Sequence, residues 1–276
     1  MKRILAILLI LIASQSQAAL TDNLVHYWKL DESSGNAADA VGGLTLTNTN
    51  TVTYAAAKIN NGAVLTAGSS NYLTGNMTLS TTLAGFSLSF WANRSSSSNY
   101  IIVGKDDSEN VAGVWIHSDG NVYFRVENAS TVFQSAADGT TGWHHYVLVY
   151  DGTQGTPANR IVGYRDASAL TLSTVADDPP TTTNGTKPFT IGSNEATDFS
   201  TGTVDEVGVW TRALSGAEVT SLYNGGSGLA YPFSGGSTAT IPPFIIQSRN
   251  EPLRPGFKID PLLRKIWESK CYALAP

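Results

Sequence analysis

Between Leu24 and Trp210 the chain is written with a period of two. Phe86-Ser87-Leu88-Ser89-Phe90-Trp91 puts Phe86, Leu88 and Phe90 on one side, and Asn121-Val122-Tyr123-Phe124-Arg125-Val126 does the same with Val122, Phe124 and Val126. Alternation at this spacing places apolar side chains on one face of an extended chain and is incompatible with the 3.6-residue repeat of a helix. The runs are short and are broken by Gly, Asn, Asp and Ser, the residues that turns favour. Strands are therefore expected near 24–30, 62–66, 71–74, 86–92, 99–104, 111–117, 121–127, 131–135, 143–151, 160–166, 169–173, 188–192 and 203–211. So many short strands with turn signals between them predict an all-β fold, a two-sheet antiparallel β-sandwich of jelly-roll type.

One short C-terminal helix completes the expected fold. Ser215-Gly216-Ala217-Glu218 is a capping box, Val219, Leu222 and Tyr223 follow at helical spacing, and Asn224-Gly225-Gly226 supplies the stop.

The two ends differ from this body. Lys2 and Arg3 precede the apolar run 4–13, and Ser16-Gln17-Ala18 supplies small residues at the −3 and −1 positions, the pattern of a secretory signal peptide cut after Ala18. Ten apolar residues are too few for a membrane span, which takes about 20 helical residues. No later segment is long and apolar enough to cross a membrane, so residues 1–18 are read as a signal peptide, 19–233 as one β domain, and 234–276 as a linker and basic tail. Residues 19–233 carry nine Lys/Arg against nineteen Asp/Glu, a net −10, whereas 234–276 carry six against three, a net +3. An acidic body argues against nucleic acid as a partner, because phosphate contacts need Lys and Arg. Cys271 is the only cysteine, so no intramolecular disulfide staples the fold.

Three phrases, in order, carry a resemblance. Leu24-Val25-His26-Tyr27-Trp28-Lys29-Leu30-Asp31 runs into a Ser34-Gly35 turn; Trp143-His144-His145-Tyr146-Val147 leads to Tyr150-Asp151-Gly152; Val204-Asp205-Glu206-Val207 leads through Arg212-Ala213-Leu214 to the capping box. Together they resemble the laminin-G-like branch of the concanavalin A-like lectin/glucanase superfamily, over about residues 20–233. The resemblance implies a β-sandwich that acts mainly as a binding module. It also implies a structural calcium held by Asp205 and Asp31, completed by backbone carbonyls.

The residues themselves leave the candidate sites open. Strand parity groups Asp205 with Val207 and Val209 on the core side, where an ionised carboxylate needs a partner or a cation; calcium suits such hard oxygen ligands. Alternatively Asp205 caps backbone amides and Asp31 makes an Asx-turn. On the strand faces opposite the apolar positions stand Trp91, Trp115, His117, Tyr123 and Arg125. Aromatic rings among hydrogen-bonding groups suit the C–H faces and hydroxyls of sugars; the competing reading is that these aromatics fill a curved sheet, with Trp91 under a loop. The segments 105–110 and 177–180 concentrate oxygen ligands and also read as charged turns. His144 and His145 point to opposite faces and cannot chelate one ion together.

Catalytic motifs are missing. Glucanases of this superfamily cluster acids as Glu-x-Asp-x-x-Glu on one strand face, and Glu127, Glu195 and Glu206 each lack such partners. There is no Gly-x-Ser-x-Gly elbow, His-Glu-x-x-His pair or phosphate loop. The expectation is a secreted, non-enzymatic module, with calcium as cofactor and a carbohydrate or glycoconjugate as partner. A structural or adhesive surface protein with a protein partner is the second reading, and a divergent glycoside hydrolase the third.

Overall fold

The computed structural model describes residues 19–77, 84–105, 112–126, 133–174, 188–194 and 198–233. The expected signal peptide, the tail, and the acidic segments 106–110 and 177–180 lie outside the described residues. In chain order the strands are β1 Leu24–Trp28, β2 Thr47–Thr49, β3 Thr53–Ala56, β4 Asn61–Leu65, β5 Tyr72–Gly75, β6 Gly85–Arg94, β7 Ile101–Lys105, β8 Ala112–Ile116 and β9 Asn121–Val126. They continue as β10 Phe133–Ala137, β11 Gly142–Asp151, β12 Ile161–Arg165, β13 Ser168–Ala169, β14 Ser173–Thr174, β15 Phe189–Ile191, β16 Ser193–Asn194, β17 Asp198–Phe199 and β18 Gly202–Trp210. Helix α1 spans Gly216–Tyr223.

The first sheet has the order β13-β12-β11-β6-β18-β4-β3, with β1 also paired to β18; the second runs β14-β10-β9-β8-β7-β15-β5-β2. Their pairings are antiparallel, as in β6 with β11, β6 with β18 and β8 with β9. The sheets close on one core. Leu88 and Phe90 of β6, Leu148 of β11 and Val207 of β18 meet Val103, Val114, Ile116 and Phe124 of the second sheet. Across the same interior, Trp28 stacks on Phe189 with centroids 4.9 Å apart. The all-β two-sheet sandwich with one short helix is thus the observed architecture.

The outer side of the first sheet is covered as well. Tyr27, Val147, Val149 and Trp210 pack there against Leu214, Val219 and Leu222. Burial on both sides explains why Tyr146 to Tyr150 reads as a continuous apolar run. Helix α1 is held in place by its cap: Ser215 Oγ accepts from the Glu218 amide, and Glu218 accepts from the Ser215 amide at 2.8 Å. Arg212 donates to the same carboxylate at 3.0 Å. Asn224 ends the helix in the left-handed region, φ 47°.

The centre of β18 changes partners. Gly202 to Val204 pair with β4, whereas Val207 to Trp210 pair with β1. Between these stretches the register of β18 against β6 shifts between Asp205 and Gly208, and Glu206 has φ 52°. This is a β-bulge, with one extra residue on β18. β1 leaves the sheet at the bulge and β4 enters there, so the fork is filled by Asp31, by 59–61 and by the bulge itself.

Candidate functional site

The bulge corrects the expected orientation of Asp205. Val204 and then Val207 and Val209 belong to the main core, so parity is broken between them and Asp205 does not point into it. Asp205 instead stands opposite Trp91 in register, on the outer side of the first sheet, under the 57–60 segment. Its Oδ2 accepts from the Ile59 amide at 2.8 Å, and its Oδ1 is buried without a hydrogen-bond partner. Glu206 is aimed outward too, where Tyr27 Oη donates to its Oε2, while Oε1 has no partner. Asp31 accepts from the Asn61 amide and from Asn60 Nδ2, each at 3.2 Å.

Three acids therefore converge at the fork, two of them almost fully buried. Burial and the charges of Glu206 and Asp31 push Asp205 up to about 8, against hydrogen bonds from the Ile59 and Glu206 amides. Burial and Asp31 push Glu206 up to about 7, opposed by Tyr27 and Lys29. Burial, reinforced by Glu206, also drives the Tyr27 phenol well above its ordinary value. A buried carboxylate oxygen with no donor is what a cation ligand looks like before the cation is considered. Among the described residues, however, no three His, Cys, Asp or Glu side chains come close enough to ligate one ion. A cation here would take two carboxylates and draw its remaining oxygens from the backbone of the fork.

The five residues expected to form a sugar face do not share one. Trp91 belongs to β6 in the first sheet and is 2% exposed. Lys58 Nζ covers its ring at 4.3 Å, and Tyr223 of α1 stacks on it at 5.7 Å. The loop and the helix bury it, so it offers no platform.

The other four do lie together on the outer face of the second sheet. Val114, Ile116, Val122 and Phe124 fill the core, so Trp115, Tyr123 and Arg125 take the opposite side of β8 and β9. Trp115 and Tyr123 are directly opposite in register. The Arg125 guanidinium lies 3.6 Å from the Trp115 ring centroid and is 6% exposed. The β8–β9 turn adds His117 and Asp119, and its Gly120 adopts φ 84°, a conformation suited to glycine. Tyr123 Oη donates to Asp119 Oδ2 at 2.6 Å, and the Asn121 amide donates to Oδ1 at 2.9 Å. Tyr100, which sequence reasoning missed, packs edge-on to His117 at 4.5 Å, with its Oη 3.0 Å from His117 Nε2.

Arg94 anchors this cluster from the other sheet and was also missed. It is 2% exposed, and its Nη1 donates to the carbonyls of Ser97 (3.3 Å), Asn99 (3.2 Å) and His117 (3.4 Å). Nη2 donates to Asp138 and Thr140 carbonyls, each at 3.0 Å, and Asp138 also accepts from Arg165 at 2.8 Å and Tyr146 at 2.6 Å. An Arg at the end of a strand gives no sequence signal that it gathers five carbonyls. Asp138 is held below its ordinary value, since Thr140, Tyr146 and the two arginines outweigh its burial.

The histidine pair serves packing and turns. His145 is buried, with Nε2 2.8 Å from Ser89 Oγ, and burial lowers it to about 3. His144 Nδ1 lies 2.6 Å from Asp166 Oδ2. Surface depressions of about 420 Å³ beside Leu170 and Leu172, and about 280 Å³ between 33–36 and 51–53, are lined by none of the aromatic-cluster residues.

Two antiparallel sheets closed on one core, with one short helix among the described residues, define a jelly-roll β-sandwich. A family profile described as the concanavalin A-like lectin/glucanases superfamily matches residues 66–220, and the chain belongs to this family. No curated protein sequence matches it. Among solved structures it is similar to the binding domain of Paraclostridial Mosquitocidal Protein 1, with TM-score 0.56 and 15% identity over 74% of this chain and 52% of that one. It is similar to domain 4 of AbnA, a GH43 extracellular arabinanase of Geobacillus stearothermophilus in complex with arabinotriose, with TM-score 0.51 and 19% identity over 72% of this chain and 97% of that one. The binding domain of botulinum neurotoxin DC in complex with SialylT follows, with TM-score 0.55 and 10% identity over 74% and 51%. The chain thus spans about half the length of the two toxin domains and nearly all of the arabinanase domain. At these identities the likeness speaks for the fold.

Proposed function

We propose that this protein is a secreted, non-catalytic carbohydrate-binding module that recognises its ligand on the outer face of the second sheet and is stabilised by calcium at the β1/β4 fork. The observation that carries the reading is the Tyr100–Trp115–His117–Asp119–Tyr123 cluster, where partly exposed rings alternate with polar atoms on one rigid surface. Aromatic walls beside fixed hydrogen-bonding groups are what a sugar ring needs. The bound oligosaccharide in the arabinanase domain and the ligand on the neurotoxin domain lend analogy to the same reading, but analogy of fold does not choose a site.

At the fork, the unpartnered Asp205 Oδ1 and Glu206 Oε1 fit a hard cation, and Asp31 adds a third charge nearby. Calcium would neutralise that charge and tie β18 to the segments before and after it. It would be held by two of these carboxylates, Asp205 with either Asp31 or Glu206, and by backbone oxygens of the fork.

A protein-partnered surface module would be favoured by a broad apolar patch; among the described residues Val41 is the one exposed large hydrophobic side chain. A hydrolase would need two carboxylates facing one cleft, whereas Asp205 is buried against the Ile59 amide and Glu206 against Tyr27. The test is glycan-array binding of the full chain in calcium and in EDTA, for wild type and Trp115→Ala. Binding to a defined sugar class that Trp115→Ala abolishes supports the proposal; binding untouched by the substitution moves the site elsewhere.

A further inference from the structure

We infer that the outer face of the second sheet selects neutral sugars and rejects sugars bearing a carboxylate; this rests on the sugar-binding reading of that face.

Among the described residues of the cluster, the displayed charge is negative. The Asp119 side chain is 38% exposed in the turn. Hydrogen bonds from Tyr123 and the Asn121 amide outweigh its partial burial and hold its carboxyl below the ordinary value, so it is ionised at neutral pH. Oδ1 accepts from the Asn121 amide and Oδ2 from Tyr123, and the exposed carboxylate keeps acceptor capacity for a ligand hydroxyl. The nearby cation, Arg125, is buried and lies flat on the Trp115 ring, so its guanidinium is not presented at the surface for a ligand to contact.

The histidine fixes the remaining polarity. The Asp119 backbone amide donates to His117 Nδ1 at 3.1 Å, and an amide can only donate. In the neutral ring that bond makes Nδ1 the acceptor, beside Asp119 Oδ1 at 3.2 Å, and puts the proton on Nε2, which faces Tyr100 Oη at 3.0 Å. In that tautomer Tyr100 accepts the Nε2 proton, and its own hydroxyl hydrogen donates outward. The face thus offers an anionic acceptor at Asp119 and a phenolic donor at Tyr100, with the Tyr123 and His117 rings, 5.6 Å apart, between them. A pair of hydroxyls on an uncharged sugar ring satisfies both: one donates to Asp119, the other accepts from Tyr100. A carboxylated sugar would bring like charge against Asp119 at close range, and that repulsion in a partly shielded surface is worth about tenfold or more in affinity.

The experiment is an array carrying the same oligosaccharides in neutral, sialylated and uronate forms, N-acetyllactosamine and arabinotriose among the neutral ones, probed with the full chain. Wild type, Asp119→Asn, Tyr100→Phe and Tyr123→Ala are compared, with circular dichroism to confirm that each is folded. The inference expects neutral forms to bind about tenfold or more tightly than their acidic counterparts, and Asp119→Asn to bring that ratio close to one. Tyr100→Phe is expected to weaken neutral binding several-fold. Acidic forms that bind as well as neutral ones, with binding still lost in Tyr123→Ala, would overturn the selectivity while leaving the sugar-binding face in place. Binding indifferent to all three substitutions, or no binding to any form, would overturn the face itself and the selectivity with it.

Discussion

Replacing Asp205 by Asn should change how the stability of the protein responds to pH. Asp205 is fully buried, and its carboxyl is raised from 3.8 to about 8 in the fold. Between those two values the folded chain holds a proton on Asp205 that the unfolded chain has released. Folding therefore takes up a proton, and stability falls as pH rises, by about 1.4 kcal/mol per pH unit. From pH 5 to pH 7 this amounts to about 2.7 kcal/mol for this one group, or roughly 5–11 °C in Tm for a domain of this size. Glu206 contributes with the same sign between 4.5 and about 7. His145 opposes it, because its lowered value of about 3 makes unfolding take up a proton below 6.5. Subtracting the variant from the wild type isolates Asp205. In EDTA, thermal melts of the two proteins at half-unit steps from pH 5 to pH 8 should show Asp205→Asn gaining on wild type by about 1.4 kcal/mol per unit up to about pH 7.5. Calcium should raise the wild-type Tm most at pH 8, where displacing the proton from Asp205 costs least across this range, and should leave the variant nearly unchanged. A wild-type-minus-variant difference that stays flat across this range would refute the assignment of Asp205 as a buried, uncompensated acid.

Other perturbations separate stability from binding. Trp91→Ala should cost about 3–5 kcal/mol in urea denaturation, because it empties the space between Lys58, Tyr223 and His145, and yet leave glycan affinity of the folded protein unchanged. Arg94→Met should cost about 3–5 kcal/mol by stranding Asp138 and five carbonyls, and should also weaken glycan binding because His117 and Asn99 lose their anchor; calorimetry on the folded fraction checks the second effect. Ser215→Ala should cost about 1 kcal/mol by removing the cap from the Glu218 amide, a loss read from the urea midpoint at constant m-value. Asp138 is depressed in the fold, so its contribution is present above its unfolded value of 3.8 and is lost as pH falls further; a Tyr146→Phe variant should show a shallower acid transition.

The strands that alternate apolar and polar residues were legible in the sequence, and so was the helix, because both signals are local. β2, β3, β16 and β17 were not anticipated. They are short stretches such as Thr47-Asn48-Thr49 and Thr53-Tyr54-Ala55-Ala56, held by pairing with β5 and β4 and carrying no alternation of their own. The orientation of Asp205 was misread because parity assumes an unbroken strand. The bulge places Glu206, a residue with a Cβ, at positive φ where glycine would have been the usual warning. Trp91 was placed on the correct side of its strand, opposite Phe90, but which sheet its neighbours occupy is a tertiary fact. Trp115, His117, Tyr123 and Arg125 came together as expected because β8 and β9 form a hairpin, the one case in which sequence proximity and spatial proximity coincide.

The central claim is that a sugar occupies the outer face of β8 and β9. It is tested most directly by a crystal structure of the full chain soaked with the strongest ligand from the array. Ring density is expected against Trp115 and Tyr123, with a hydroxyl within hydrogen-bond distance of Asp119. Ligand density at the β1/β4 fork or in one of the surface depressions, with the aromatic face bare, would contradict it.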